Sequence, residues 1–441
     1  MDQETLVCKG SADIEITEKE AGELFAGALS RLLAGKIKTG PVLVLPPDIT
    51  RFYSRAGYLT DVASGVLGQR LGAVMPALGT HMAMTHDEIK RMFPKTPPEK
   101  FLVHDWRNDV KELGRIDADW IEKNSEGKVR YDWPVQVNRI LPDGNFSMII
   151  SIGQVVPHEV VGMANHTKNL FVGTGGKEAI DKSHFVGAAY GMEKMMGRSD
   201  TPVRRMFDEG FNRYGNKLPP VLYVLTVVGM RKPGEGGSSS STAIRGIFIG
   251  FGKDCFDKAA ALSREVNVDI LDEPIKKAVV YLEPEEFRTT WLGNKAVYRT
   301  RMAMADNGEL LILAPGLERF GEDQAVDKLI RKYGYCPSAV ILDKVKKEKE
   351  IAENLSVAAH LIHGSSEGRF TIRYCPGPKL SRAEIESAGF RWGSLDEAMG
   401  RYDINKLALG WNTCADGERI FYVPNPALGL WAQRQRFYVT K

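Results

Sequence analysis

Short apolar runs alternate with amphipathic stretches along almost the whole chain. Strand-length apolar runs occupy 41–46, 73–78, 101–104, 148–156, 170–173, 221–228 and 244–250, and a second series follows at 278–282, 310–314, 339–342, 370–373 and 420–423. Between them, 56–71, 202–213, 255–266, 322–333 and 347–362 read as amphipathic helices. Strands apolar at every position, not every second one, belong to parallel sheets covered by helices on both faces. The pattern therefore predicts an α/β protein of two α/β domains with mainly parallel sheets, residues 1–270 and 271–441. The division is set by 269–276, where a helix ends and a fresh strand–helix series begins. Pairs of this kind commonly bind ligands in the cleft between them, so a cofactor site is expected there, with the second domain closing over the substrate. Residues 232–241, KPGEGGSSSS, break the pattern as a flexible loop between two strands.

Composition narrows the class. With 43% hydrophobic and 26% charged residues, the chain is that of a soluble globular protein. A net charge of +3 without a basic run interleaved with aromatics argues against nucleic acid as a partner. The opening MDQETLVCKGSADIEITEKE is too polar for a signal peptide, and no apolar run approaches the roughly 20 residues that span a bilayer. Five cysteines with no CxxC argue against a zinc ribbon, an iron–sulfur site or a disulfide framework. No membrane and a cytoplasmic location are the expectations.

Candidate chemistry gathers at the ends of the predicted strands, where open α/β sheets place ligands. Asp48-Ile49-Thr50-Arg51 follows the first strand; Arg51 suits a carboxylate, and Asp48 can brace it or cap a helix. Gly79-Thr80-His81 ends the second, ahead of a capping box from Thr85 to Glu88. His104-Asp105 is a weaker pair, because adjacent strand residues point to opposite faces. The stretch from Gln154 to Phe185 holds three of the eight histidines, His158, His166 and His184, with Gly173-Thr174-Gly175-Gly176-Lys177. That turn fails the GxxxxGK[ST] pattern, since Glu178 follows the lysine and Phe171 stands at the first glycine position. Its backbone amides can still hold a phosphate. On a helix, Trp291, Lys295 and Tyr298 share a face, an aromatic beside a cation that suits an organic anion or a plain interface stripe.

Taken in order, DxTR, GTH with a following Glu, a strand ending in PH, GGK, a further histidine, and an aromatic with a lysine four residues on resemble the lactate racemase family, over about residues 41–321. The resemblance implies an isomerase, a 2-hydroxy acid racemase or epimerase that uses a nickel-pincer nucleotide. This cofactor is the nickel complex of pyridinium-3,5-bisthiocarboxylic acid mononucleotide. It implies that Lys177 forms a covalent thioamide link to the cofactor, with Gly175 and Gly176 beside it, and that His184 is the ligand to nickel. His81 and His158 would be the acid–base pair. Arg51 and Lys295 would hold the substrate carboxylate, with Asp48 orienting Arg51 and Trp291 packing nearby. The implied mechanism is reversible hydride transfer between the α-carbon and the pincer, one histidine exchanging the hydroxyl proton on each side. Cofactor-synthesis enzymes would be needed for loading.

The spacing departs from the family. There the lysine follows the PH element after about ten residues, whereas His158 and Lys177 are 19 apart and Lys177 and His184 only seven. His166, eleven residues before Lys177, therefore competes with His158 for the role of second base. Trp291-Leu292 stands where the family has Tyr-Gln, which points to a 2-hydroxy acid other than lactate. Two other readings stay open. One is a metal-dependent hydrolase or lyase using a cluster of His81, His158 and His184; the other is a carrier without turnover.

Overall fold

The computed structural model describes residues 5–35, 39–231 and 242–439. The predicted loop 232–241 lies outside them. The chain divides into two compact units, Met1–Ser183 with Met196–Asn267, and His184–Met195 with Val268–Lys441.

The first unit is built on β1 (Thr5–Gly10), β2 (Val42–Leu45), β3 (Leu71–Val74), β4 (Val110–Ile116), β5 (Trp133–Asn138), β6 (Met148–Gln154), β7 (Pro157–His158), β8 (Gly162–Met163), β9 (Val221–Met230) and β10 (Thr242–Gly250). Its main sheet has the order β1-β10-β9-β6-β2-β3. Strands β3, β2, β6 and β9 are parallel, and β10 and β1 add antiparallel. All of β6 is buried, as are nine of the ten residues of β9. Alternate residues on one face, Val42, Val44, Ile150, Ile152, Leu222 and Val224, pack against Phe25, Leu29, Leu59 and Ala63. Those four come from the helices Glu18–Gly35 and Ala56–Leu67. Burial on both faces is why these strands read as unbroken apolar runs.

The second unit has β11 (Val268–Leu271), β12 (Ile275–Tyr281), β13 (Met304–Ala314), β14 (Thr371–Pro376), β15 (Arg391–Trp392), β16 (Gly410–Thr413), β17 (Arg419–Val423) and β18 (Leu430–Gln433). Its larger sheet runs β15-β14-β13-β12-β17-β16, parallel except for the β16–β17 pair. The α/β class with mainly parallel sheets is as the pattern predicts.

Three predicted strands are not strands. Residues 170–173 fall in and after the helix Thr167–Phe171, and 339–342 in the helix Ser338–Lys347. In the latter only Ile341 is buried, so a run of four apolar residues marks one helix face and its flank. Around 101–104 only an isolated bridge from Phe101 to Val74 forms. Short apolar runs carry too little period to separate a strand from a helical turn. The antiparallel β4–β5 hairpin and β1 were not foreseen.

Candidate active site

At the carboxyl end of β2 the chain turns through Pro46-Pro47 into Asp48, which caps the short 3-10 helix Ile49–Ser54. Asp48 Oδ1 accepts from the Thr50 amide at 3.0 Å and the Thr50 hydroxyl at 2.6 Å. Oδ2 meets His81 Nδ1 at 2.6 Å. Burial works against the carboxylate, but the His81 ring first, then Thr50 and Arg51, outweigh it and hold its pKa at about 2. An ionised carboxylate on Nδ1 fixes the imidazole proton there and leaves Nε2 as the free acceptor, the form a general base needs. Asp48 thus orients His81 and not, as expected, Arg51. The Arg51 guanidinium makes no hydrogen bond or ion pair among the described residues and acts on Asp48 only through its charge. An uncommitted guanidinium is what a substrate carboxylate requires.

Beyond β6, His158 sits in the small β7–β8 hairpin and is buried. Its Nδ1 accepts the Val160 N–H at 3.1 Å, with Glu159 Oε2 3.6 Å away. In the neutral ring the proton is then on Nε2, the opposite of His81. Ten residues after His158 comes Lys168, on the helix Thr167–Phe171. Part of its side chain reaches solvent, but protein surrounds the ammonium. Burial first, then the Arg51 charge, pull its pKa down to about 8, against the weaker opposite effects of Glu159 and Asp48. Lys168 is therefore within electrostatic reach of both Asp48 and Glu159.

Lys177 is not part of this group. It begins the helix Lys177–Tyr190, is exposed, and pairs with Asp181 one turn on. The glycine turn before it serves the fold: a Cβ on Gly175 would lie 2.1 Å from the Phe171 carbonyl oxygen, and one on Gly176 2.5 Å from Gln136 Oε1. Protein atoms fill the space beside these glycines. The Gly173 carbonyl accepts from the Gly79 amide at 3.0 Å, where φ is +58°, and so pins the turn that carries His81. His104 Nε2 donates to the Gly175 carbonyl at 3.0 Å, and Nδ1 accepts from Asn138 Nδ2 at 3.0 Å. Burial keeps His104 neutral, as that bonding requires. His166, the rival base, is buried between the rings of Tyr223 and Phe256, with centroids at 4.2 and 5.1 Å. Its charged neighbours are Arg204, Lys253 and Asp208, not the Asp48 group.

In the second unit, His184 lies near buried His363, whose pKa burial, Arg301 and His184 push well below the usual histidine value. Trp291 stacks on His360 at 4.2 Å. Lys295 is buried, its ammonium 5.3 Å from the Phe287 ring and 3.9 Å from Glu286 Oε1. The expected single helix breaks into Thr290–Gly293 and Lys295–Thr300 about Asn294, whose Oδ1 accepts from the Tyr374 hydroxyl at 2.8 Å. Among the described residues, the one group of three metal-ligand side chains is Cys414, Asp416 and Glu418. Its carboxylates are engaged by Arg401 and Lys277. No histidine belongs to that group among the described residues.

Lys168, ten residues after His158, was not among the candidates named from the sequence.

Residues 30–196 match the family model of the lactate racemase N-terminal domain. No curated protein matches the chain. A crystal structure of a protein from Thermotoga maritima is similar, with a TM-score of 0.78 and 23% identity, covering 96% of this chain and 100% of that one. The lactate racemase apoprotein from Thermoanaerobacterium thermosaccharolyticum has a TM-score of 0.66 at 14% identity, covering 96% and 94%. At these identities both likenesses speak to the fold.

Proposed function

We propose, for a chain that belongs to the lactate racemase family through residues 30–196, a racemase or epimerase of a small 2-hydroxy acid. The observation that carries the reading is Lys168. It stands at the family's ten-residue interval from the PH element, beside Arg51 and the Asp48–His81 pair, and its pKa of about 8 leaves a useful fraction of neutral amine near neutral pH. Those properties fit the attachment point of a nickel-pincer nucleotide, a role in which Lys168 replaces Lys177. The interval from Lys168 to His184 is then 16 residues, longer than the seven from Lys177. His184 remains the candidate nickel ligand. When bound, that cofactor supplies a reversible acceptor for the α-hydrogen as hydride.

The chain's own residues do the rest. Arg51 takes the substrate carboxylate in a two-point contact, and Lys295 and Trp291 enter on the family pattern alone. His81, with its proton held on Nδ1 by Asp48, takes the hydroxyl proton at Nε2. His158, with Nδ1 occupied by the Val160 amide, offers its proton from Nε2. Two histidines held in opposite tautomers suit a reaction that removes a proton at one place and returns one at another.

The test is conversion of enantiopure 2-hydroxy acids by nickel-loaded protein in deuterated water. Inversion without deuterium at the α-carbon is expected. Extensive incorporation there would mean direct proton abstraction and sink the reading.

A further inference from the structure

The first unit contains a cavity of about 610 Å³ whose wall includes His166 and Thr167, just before Lys168 in the chain. It is lined by Val221, the first residue of β9, and by Phe251 and Gly252 just after β10. It therefore opens at the amino end of the parallel strands, whereas Asp48 and His158 follow their carboxyl ends. Its volume lies within the range of small-molecule sites.

One buried polar group at its wall lacks what its chemistry asks for, and a carboxylate stands beside it. His166 is nine-tenths buried or more, and its Nδ1 has no hydrogen-bond partner. The other ring nitrogen bonds the Gly252 backbone, which places the neutral ring's proton on Nε2 and leaves Nδ1 a bare acceptor. The Arg204 and Lys253 charges oppose protonation of that ring. Asp208 Oδ1, 3.9 Å from Nδ1, is also an acceptor, and it already takes the Thr167 hydroxyl at 2.8 Å. Arg204 fixes that hydroxyl in turn, donating to it at 2.9 Å. Asp208 Oδ2 makes no hydrogen bond among the described residues. Two acceptors thus face each other across a gap too wide for a direct bond. Oδ1 already has its donor, but Nδ1 has none, and a buried acceptor left without one is costly.

We propose that this cavity is a second ligand site, for a small neutral polyhydroxylated compound that presents a vicinal diol to His166 Nδ1 and Asp208. Hydroxyls satisfy both acceptors, while the nearby Arg204 and Lys253 charges disfavour a cation. Phe211, Pro219 and Phe251 supply apolar walls for a sugar ring's C–H faces, and Asn212 lies exposed at the rim. Two protein donors are too few for a metal ion. The inference does not depend on the proposed racemase activity.

Calorimetric titration of the full chain with methyl β-D-ribofuranoside, its 2-deoxy analogue and methyl α-D-glucopyranoside tests it. One of the two diol-bearing glycosides should bind, and the deoxy analogue at least about tenfold more weakly than the ribofuranoside if that is the binder. Asp208→Asn should weaken binding about tenfold. Asn212→Trp, which fills the rim without touching the buried network, should abolish it, and His81→Ala should leave it unchanged. The proposal is overturned if neither diol glycoside binds, if the deoxy analogue binds as well as the ribofuranoside, or if binding survives both Asp208→Asn and Asn212→Trp. Loss of binding in His81→Ala would place the sugar in the active site and overturn it equally.

Discussion

Lys168→Met should stabilise the fold while destroying function, and the size of the effect follows from the charge it removes. The ammonium's pKa falls from the ordinary 10.5 to about 8 in the folded chain. At 1.36 kcal/mol for each tenfold change in the protonation constant, the fold disfavours the charged amine by about 3 kcal/mol. Below pH 8 the lysine is protonated in both folded and unfolded chains, so the whole penalty is present. As pH rises from 8 towards 10.5 the folded chain loses its proton first, and the penalty fades to about 1 kcal/mol by pH 10. Methionine keeps the length of the stem and carries no charge. Urea denaturation of both proteins at pH 7 and pH 10 reads the difference: the variant should be more stable by up to about 3 kcal/mol at pH 7, with the gap mostly closed at pH 10. A variant no more stable at pH 7, or a gap unchanged at pH 10, would refute the reasoning. The same shift predicts reactivity. At pH 7 about a tenth of such an amine is neutral, some 300-fold more than for an ordinary lysine. Acylation of Lys168 followed by peptide mass analysis should therefore show a midpoint near pH 8.

Intact mass of cofactor-loaded protein should show an adduct that Lys168→Ala removes and Lys177→Ala keeps; the reverse would restore Lys177 to the site. Asp48→Asn should lower turnover by about a hundredfold or more, since the His81 proton is no longer held on Nδ1. It should also cost about 2 kcal/mol at pH 7, from a pKa of about 2 against the ordinary 3.8. Because the folded pKa is the lower one, that stabilisation is full above pH 4 and lost as pH falls towards 2, so the two proteins should converge in acid denaturation. Gly175→Ala should destabilise by about 1–3 kcal/mol without any ligand present, because the added methyl meets the Phe171 carbonyl. A thermal melt unchanged from the parent would contradict that packing role.

The sequence by itself determined the local periods and the chemistry at their ends. It read β2, β6, β9 and β10 and the core of the second sheet correctly, because strands buried on both faces leave an unbroken apolar record. The capping box from Thr85 to Glu88 was equally legible, being decided within four residues. Asp48, His81 and His158 were identified as candidates because they follow strand ends. The Asp48–His81 pairing was not legible, since it spans 33 residues, nor was that of His104 to Gly175 across 71, whereas His158 bonds Val160 only two residues on. Only the tertiary structure gave His81 and His158 opposite tautomers, buried His166 beside Asp208, and turned Gly175 and Gly176 into packing positions. It also separated the two lysines. Lys168 and Lys177 are the same residue type nine positions apart, and what distinguishes them is desolvation beside Arg51, a property of the folded surroundings.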